Sequence, residues 1–203
     1  MTGCVVRAHW KAHGREAVAL ARAGLTVTQG AATPALAAQL HALEGRGLAL
    51  LGDARAARHA VLEAERYYER ARPDEEPPWL GFYTEAALTA DLAPGLRDIG
   101  EFKQAVTLST TALHGYEPWR VRPRCFVQTD LAIAHLLAHD LEQAAAVGRD
   151  AVRIAAEIHS TRTLDRLRTL QGQLHPLRPA SPHLRELDER ITTLLTRRRH
   201  DDR

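Results

Sequence analysis

Two pairs of histidines stand four residues apart, His9 with His13 and His135 with His139. On one helix that spacing sets both imidazoles on the same face, where a zinc ion would need them. No carboxylate motif of the His-Glu-x-x-His kind accompanies either pair, and eleven histidines scattered along amphipathic helices bring some to this spacing by chance. No metal site is assigned. Cys125 adjoins Arg124, a cation that could lower a thiol pKa. No histidine base can be placed beside it, so a buried, inert thiol is expected. Gly45-Arg46-Gly47 has no strand before it and reads as helix packing rather than a phosphate loop. There is no Gly-x-Ser-x-Gly and no repeated acidic pair. No catalytic residue and no cofactor is expected, and the chain is not read as an enzyme. Trp79, Phe82 and Tyr83 form an aromatic cluster open to two readings, a ligand contact or a hydrophobic staple across a long loop. Trp119 reads first as a loop anchor.

The elements that carry these residues are expected to be helices. The chain has 203 residues, enough for one compact domain or one elongated array of helix pairs. Hydrophobic residues make up 45% and permit a sizeable core, but aromatic residues make up only 5%. A core of Ala, Leu and Val favours close helix packing, and Ala has the best helix propensity. The longest β-branched run, Leu25-Thr26-Val27-Thr28, stops at Gln29-Gly30, and nothing alternates with period two. A net charge of +2 gives no support to nucleic-acid binding. The cations are nearly all arginine, Lys11 and Lys103 being the only lysines, a bias that suggests a GC-rich, actinobacterial source. Cys4 and Cys125 lie far apart without metal spacing, as free thiols in a reducing compartment would. No run reaches the ~18–20 apolar residues of a membrane span. His9, Lys11, His13 and Arg15 interrupt any signal-peptide pattern, so a cytoplasmic protein without membrane contact is expected.

Four segments repeat: Ala12–Ala17, Gly52–Ala57, Gly100–Ala105 and His139–Ala144. Each reads as a tight turn followed by a helix start, with a helix-ending residue that tolerates the left-handed region and then an acid or polar residue in the next first turn. Seven residues beyond the last small residue of each stands another: Gly24, Ala64, Ala112 and Ala151. Seven residues is nearly two turns, so both lie on one helix face. Seven residues before the last three turns stand Gly45, Ala93 and Ala132. The reading predicts helices over 4–23, 34–51, 53–71, 79–98, 101–115, 122–138, 140–158, 161–174 and 181–199. Thr33-Pro34 and Ser181-Pro182 supply N-cap and first-turn proline, while Pro94-Gly95 is expected to kink or break its helix. Leu164, Leu167, Leu170 and Leu174, then Leu184, Leu187, Ile191 and Leu194, make apolar stripes on a final pair that caps the stack. Residues 1–158 are read as about three and a half repeats and 159–203 as the capping helices with a charged tail.

This pattern resembles the tetratricopeptide repeat, which pairs a Gly- or Ala-bearing helix with a Gly-Asp-Tyr-like turn and a second helix carrying two Ala. Ile99-Gly100-Glu101-Phe102-Lys103-Gln104-Ala105, continuing to Ala112, matches it best. The Ala-to-Ala spacings (17 to 57, 57 to 105, 105 to 144) are 40, 48 and 39. The family's usual spacing is ~34, so the loops between pairs are long. The order Trp79–Ala86, the Gly100 turn, Leu131–Ala138, Asp165–Arg168 and Leu187–Arg190 is similar to the C-terminal half of actinobacterial Xre-type helix-turn-helix transcriptional regulators. No helix-turn-helix sequence is found, and residues 1–33 are too short and Ala-rich for one, so direct DNA binding is not carried over. The first helix matches the second of a repeat, which leaves an excised domain, a truncated reading frame and a free-standing relative all open.

The resemblance implies an all-α, TPR-like superhelical array whose first helices line a concave groove. Gln39, Arg46, Tyr83, Arg97, Phe126, Thr129 and Asp130 are the expected groove contacts, with Ala87 and Ile133 among the positions facing it. Two arginines, an aromatic and polar groups suit an extended peptide or a small acidic ligand. The expected function is a non-catalytic interaction or sensor module for a peptide, protein partner or small effector, linked to transcriptional regulation. The alternative is an accessory protein or atypical enzyme of a biosynthetic pathway that uses the groove as a pocket. A first helix without its partner presents an apolar face, and a homodimer through that helix is expected.

Overall fold

Three of the four repeated segments fold into the same turn. In a computed structural model, which describes residues 2–28 and 31–201 and the side chains of 13–28 and 31–198, Gly52, Gly100 and His139 all have positive φ (85°, 91° and 61°). Each ends its helix with two reverse bonds. Gly52 N donates to Ala49 O and Asp53 N to Leu48 O. Gly100 N and Glu101 N donate to Arg97 O and Leu96 O, and His139 N and Asp140 N to Leu136 O and His135 O. This is the Schellman arrangement, in which a left-handed residue satisfies the last carbonyls of a helix. Asp53 and Asp140 then cap the following helices, accepting from Ala56 N and Gln143 N.

The turns join helices in pairs. Nine α-helices are present among the described residues, with no strand: α1 (Thr2–Val27), α2 (Pro34–Leu51), α3 (Ala54–Tyr68), α4 (Glu85–Asp98), α5 (Phe102–Gly115), α6 (Val121–Leu137), α7 (Leu141–Glu157), α8 (Thr161–Leu174) and α9 (Pro182–Asp201). Within each compact unit helices pack antiparallel in sequence order, as expected of a helical array. Among the described residues no helix is long and apolar enough to cross a membrane.

The first segment, Ala12–Ala17, is not a turn. It lies inside the unbroken α1, because its glycine serves packing instead of chain reversal. A Cβ on Gly14 would stand 3.0 Å from Gly47 O, and one on Gly47 would stand 2.9 Å from Gly14 O. The two glycines let the α1 and α2 backbones touch. Gly45 does the same toward α3, where a Cβ would lie 3.3 Å from the Ala60 Cβ. Alternate glycines on α2 thus admit one neighbour each, in line with the packing reading of Gly45-Arg46-Gly47.

Inter-residue contacts divide the chain into two compact units, Met1–Ala112 and Leu113–Arg203, with the division inside α5. Helices α8 and α9 pack with α6 and α7 in one unit. In the first unit α2 packs against α1, α3 and α4 around Val18, Leu48, Ala49, Ala57 and Ala60. The expected break at Pro94-Gly95 is absent. Pro94 is buried within a continuous α4, and Gly95 rests against the backbone of Arg46. In the second unit α6 packs on α7 and α8, and α7 on α9. Leu167, Leu170, Leu174, Leu184, Leu187 and Ile191 are wholly buried there. Each such side chain stabilises by about 1.5–3 kcal/mol. The last stripe runs to Leu195, which is buried, while Leu194 is half-buried beside it. Buried Asp188 on α9 accepts from Gln171 Nε2 at 2.9 Å and from Arg178 at 2.6 Å, tying α8 and its exit to α9.

Candidate functional site

The connection between α3 and α4 departs most from expectation and lines a cavity. A helix was expected from 79, but α4 starts only at Glu85. Pro77 and Pro78 open a 3₁₀ turn over Pro78–Leu80, and Thr84 is extended at the N-cap of α4. A preceding 3₁₀ turn covers Pro73–Glu75. Leu80 is buried and anchors the segment, and Tyr83 N donates to Leu80 O.

Glu76 ties this connection to the start of α2. Pro34 occupies the first turn as expected, but the Thr33 hydroxyl makes no cap hydrogen bond. The Glu76 Oε1 accepts from Ala35 N at 2.9 Å instead. A carboxylate supplied 41 residues away thus satisfies a free N–H at the positive end of the helix. Its other oxygen, Oε2, is buried without a hydrogen-bond partner among the described residues.

Around that carboxylate lies a cavity of about 280 Å³, lined by Ala35, Tyr68, Ala71, Pro73, Leu80, Gly81, Tyr83 and Thr84 as well as Glu76. Its size is just below the ~300–1,000 Å³ usual for small-molecule sites. The Tyr68 and Tyr83 rings meet edge to face at 6.2 Å, and Phe82 meets Tyr83 in the same way at 6.3 Å. Tyr83 is buried, whereas Phe82 and Trp79 are exposed. Burial above all, and then the negative charges of Glu85 and Glu76, push the Tyr68 hydroxyl pKa up. Tyr68 is held as a neutral phenol, able to donate or accept. Among the described residues no basic side chain lines the cavity.

Of the expected groove residues, only Tyr83 belongs to this cavity. Gln39 and Arg46 are half-buried on α2, seven residues apart and so on one face. Arg97 on α4 is ion-paired to Asp98 at 2.8 Å with its side chain largely buried. In the second unit, Phe126 carries the guanidinium groups of Arg166 and Arg162 over its ring at 4.7 and 5.8 Å, and Asp130 is ion-paired to Arg166. Thr129 is fully buried and returns its hydroxyl to Cys125 O at 2.8 Å, so it faces the interior rather than a groove. Ala87 and Ile133 are likewise buried. α6 lies between α7 and α8, which leaves little of its surface for a ligand.

The residues first weighed for chemistry separate cleanly. His139 does not share a helix face with His135, because α6 stops at Leu137 and His139 is the left-handed turn residue. His135 Nδ1 instead faces Asp140 at 3.2 Å. The side chains of Cys4 and His9 lie outside the described residues, and among those described no group of three metal-ligating side chains gathers. Cys125 is a free, fully buried cysteine whose Sγ donates to Ala151 O at 3.5 Å. Burial pushes its thiol up to about 11, against smaller opposing effects of Thr129 and Arg166. Arg124 turns away to the Leu113 and Tyr116 carbonyls. Glu76 and Tyr68 were missed because their partners come from other helices; the Glu75-Glu76-Pro77-Pro78 run before the aromatic cluster was the one signal. No family model, no curated protein and no solved structure matches the chain significantly.

Proposed function

We propose that the chain is a non-catalytic, TPR-like interaction and sensor module that takes its ligand in the Tyr68–Tyr83–Glu76 cavity. The TPR-like reading is supported by three turns with the same hydrogen-bond pattern and by the small residues at repeat spacing. Ala57, Ala64, Ala93, Ala105, Ala112, Ala132, Ala144 and Ala151 are all buried where helices meet. The observation that carries the site is a carboxylate that lines the cavity beside two tyrosines and keeps one oxygen, buried, without a hydrogen bond. Buried polar atoms are nearly always satisfied, so an orphan in a cavity marks a place for a polar ligand group. The resemblance to Xre-type regulators makes transcriptional regulation through a partner, in the cytoplasm, the setting of this module. Leu20 and Val27, seven residues apart on α1, are exposed apolar side chains. They support a homodimer through that helix, and light scattering that gives a monomer at micromolar concentration removes the dimer.

The atypical-enzyme reading draws on the same convergence of two tyrosines and a glutamate. It is the weaker of the two, because one Glu76 oxygen is committed to Ala35 N and Tyr68 is held neutral.

Native mass spectrometry of the protein purified from its own host tests the sensor reading. A retained small molecule that Ala71→Phe expels supports it, since Ala71 lines the cavity. A ligand that survives Ala71→Phe binds elsewhere and refutes the assignment of the site.

A further inference from the structure

The one carboxylic acid lining the cavity among the described residues, Glu76, has no cationic side chain to pair with there. Glu76 Oε2 is an acceptor with no hydrogen bond, and Glu76 forms no ion pair among the described residues. Tyr68 and Tyr83 line the space, and their rings meet edge to face; an aromatic ring attracts a cation to its face. Glu85 stands at the end of the same segment, close enough to act on the Tyr68 hydroxyl. Among the described residues no basic side chain lines the space, and one α2 N–H, that of Ala35, is already taken by Glu76 Oε1. An anion placed here would be repelled, and a neutral alcohol would satisfy Oε2 without using the negative potential. Leu80, Pro73 and Ala71 supply an apolar wall. The volume leaves room for a short stem and one head group.

Resting on the reading that this cavity is the binding site, we propose that it takes a primary ammonium on a short apolar stem. The ammonium meets Glu76 Oε2 and the tyrosine faces, and the stem lies along Leu80. Ammonium groups against carboxylate and aromatic faces gain both charge-assisted hydrogen bonding and cation–π attraction. The source is either a free amine or a lysine side chain of a partner, and the ligand class is the reverse of the acidic one expected from Arg46 and Arg97.

Amide chemical shifts of the full chain, titrated with matched probes, test this. The probes are 2-phenylethylammonium, its neutral isostere 2-phenylethanol, 3-phenylpropionate, and a blocked Ala-Lys-Ala peptide. The ammonium should shift the Ala35, Leu80, Gly81 and Tyr83 amides with millimolar or better affinity. The alcohol should bind at least about tenfold more weakly and the carboxylate not at all. Stronger shifts with the lysyl peptide assign the source to a protein partner, and stronger shifts with the free amine assign it to a small molecule. Glu76→Gln keeps an acceptor for Ala35 N and should lower ammonium affinity about tenfold while leaving the alcohol unchanged. If the variant does not fold, wild-type ammonium affinity must still fall with added salt while alcohol affinity does not. Equal binding of alcohol and ammonium at these amides overturns the ammonium assignment and keeps the binding site. Silence of these amides toward every probe overturns both.

Discussion

Gly47→Ala should loosen the α1–α2 contact, although alanine is the better helix former. The exchange of Gly for Ala within a helix gains about 1 kcal/mol from propensity alone. At Gly47 the new Cβ would meet Val18 Cγ2 at 2.8 Å, Gly14 O at 2.9 Å and Val18 N at 3.1 Å. Two of these three are backbone atoms that no rotamer change can move, so the helices themselves must separate. Overpacking costs about 1–3 kcal/mol, and a backbone clash belongs near the top of that range. The net expectation is a loss of about 1–2 kcal/mol, a factor of about 5–30 in the local opening equilibrium. Gly172 on α8 is the control, since a Cβ there meets nothing within 4 Å. Gly172→Ala should gain about 0.5–1 kcal/mol. Hydrogen exchange reads each substitution in its own helix: faster exchange in α1 and α2 for the first, slower exchange in α8 for the second. Protection of α1 and α2 in Gly47→Ala equal to or above that of the wild type refutes the close-packing account.

Glu76→Ala should cost about 0.5–2 kcal/mol by removing the cap from the buried Ala35 amide, whereas Thr33→Ala, whose hydroxyl makes no cap bond, should cost less; thermal midpoints of the two variants decide, and the opposite order contradicts the remote cap. His139→Gly should raise stability by about 0.5–1 kcal/mol, because His139 is exposed and holds a left-handed conformation that glycine adopts without strain; a urea midpoint unchanged or lowered counts against this. Cys125 is an acid whose folded pKa is raised from 9.0 to about 11. The unfolded chain therefore releases this proton first as pH rises, and stability is lost between about pH 9 and about pH 11. Denaturant melts over that window should be flatter in Cys125→Ala than in the wild type, and an identical slope in both argues against the burial of the thiol.

Helix pairing was legible because its signals are local. Gly52 and Gly100 end helices for reasons intrinsic to glycine, Asp53 and Asp140 cap for reasons intrinsic to aspartate, and alanines at intervals of seven mark contact faces. Gly14 misled because glycine serves chain reversal and close approach equally well, and only the presence of Gly47 on the next helix decides between them. Thr129 was misplaced for a related reason. Its position on a first helix says which way it points within one pair, but it is buried and turns its hydroxyl back to Cys125 O. The site itself was half-legible. Tyr83 stood in a visible aromatic cluster, while Glu76 acquires its role only from Ala35, and no spacing rule connects residues 41 apart.

The reverse turns inside the pairs have a consequence for how this chain can change length. Between Leu51 and Ala54 only Gly52 and Asp53 intervene, and both are committed, one to the left-handed region and one to the cap. A residue inserted between Asp53 and Ala57 would rotate the rest of α3 by about 100° about its axis. Ala57, Ala60 and Ala64 would leave the core together. The connections at 69–84 and 116–120 carry no such phase relation. Insertions and deletions among related chains should therefore gather between helix pairs, away from the Glu76 cap and the buried Leu80 and Tyr83, and spare the turns within the pairs.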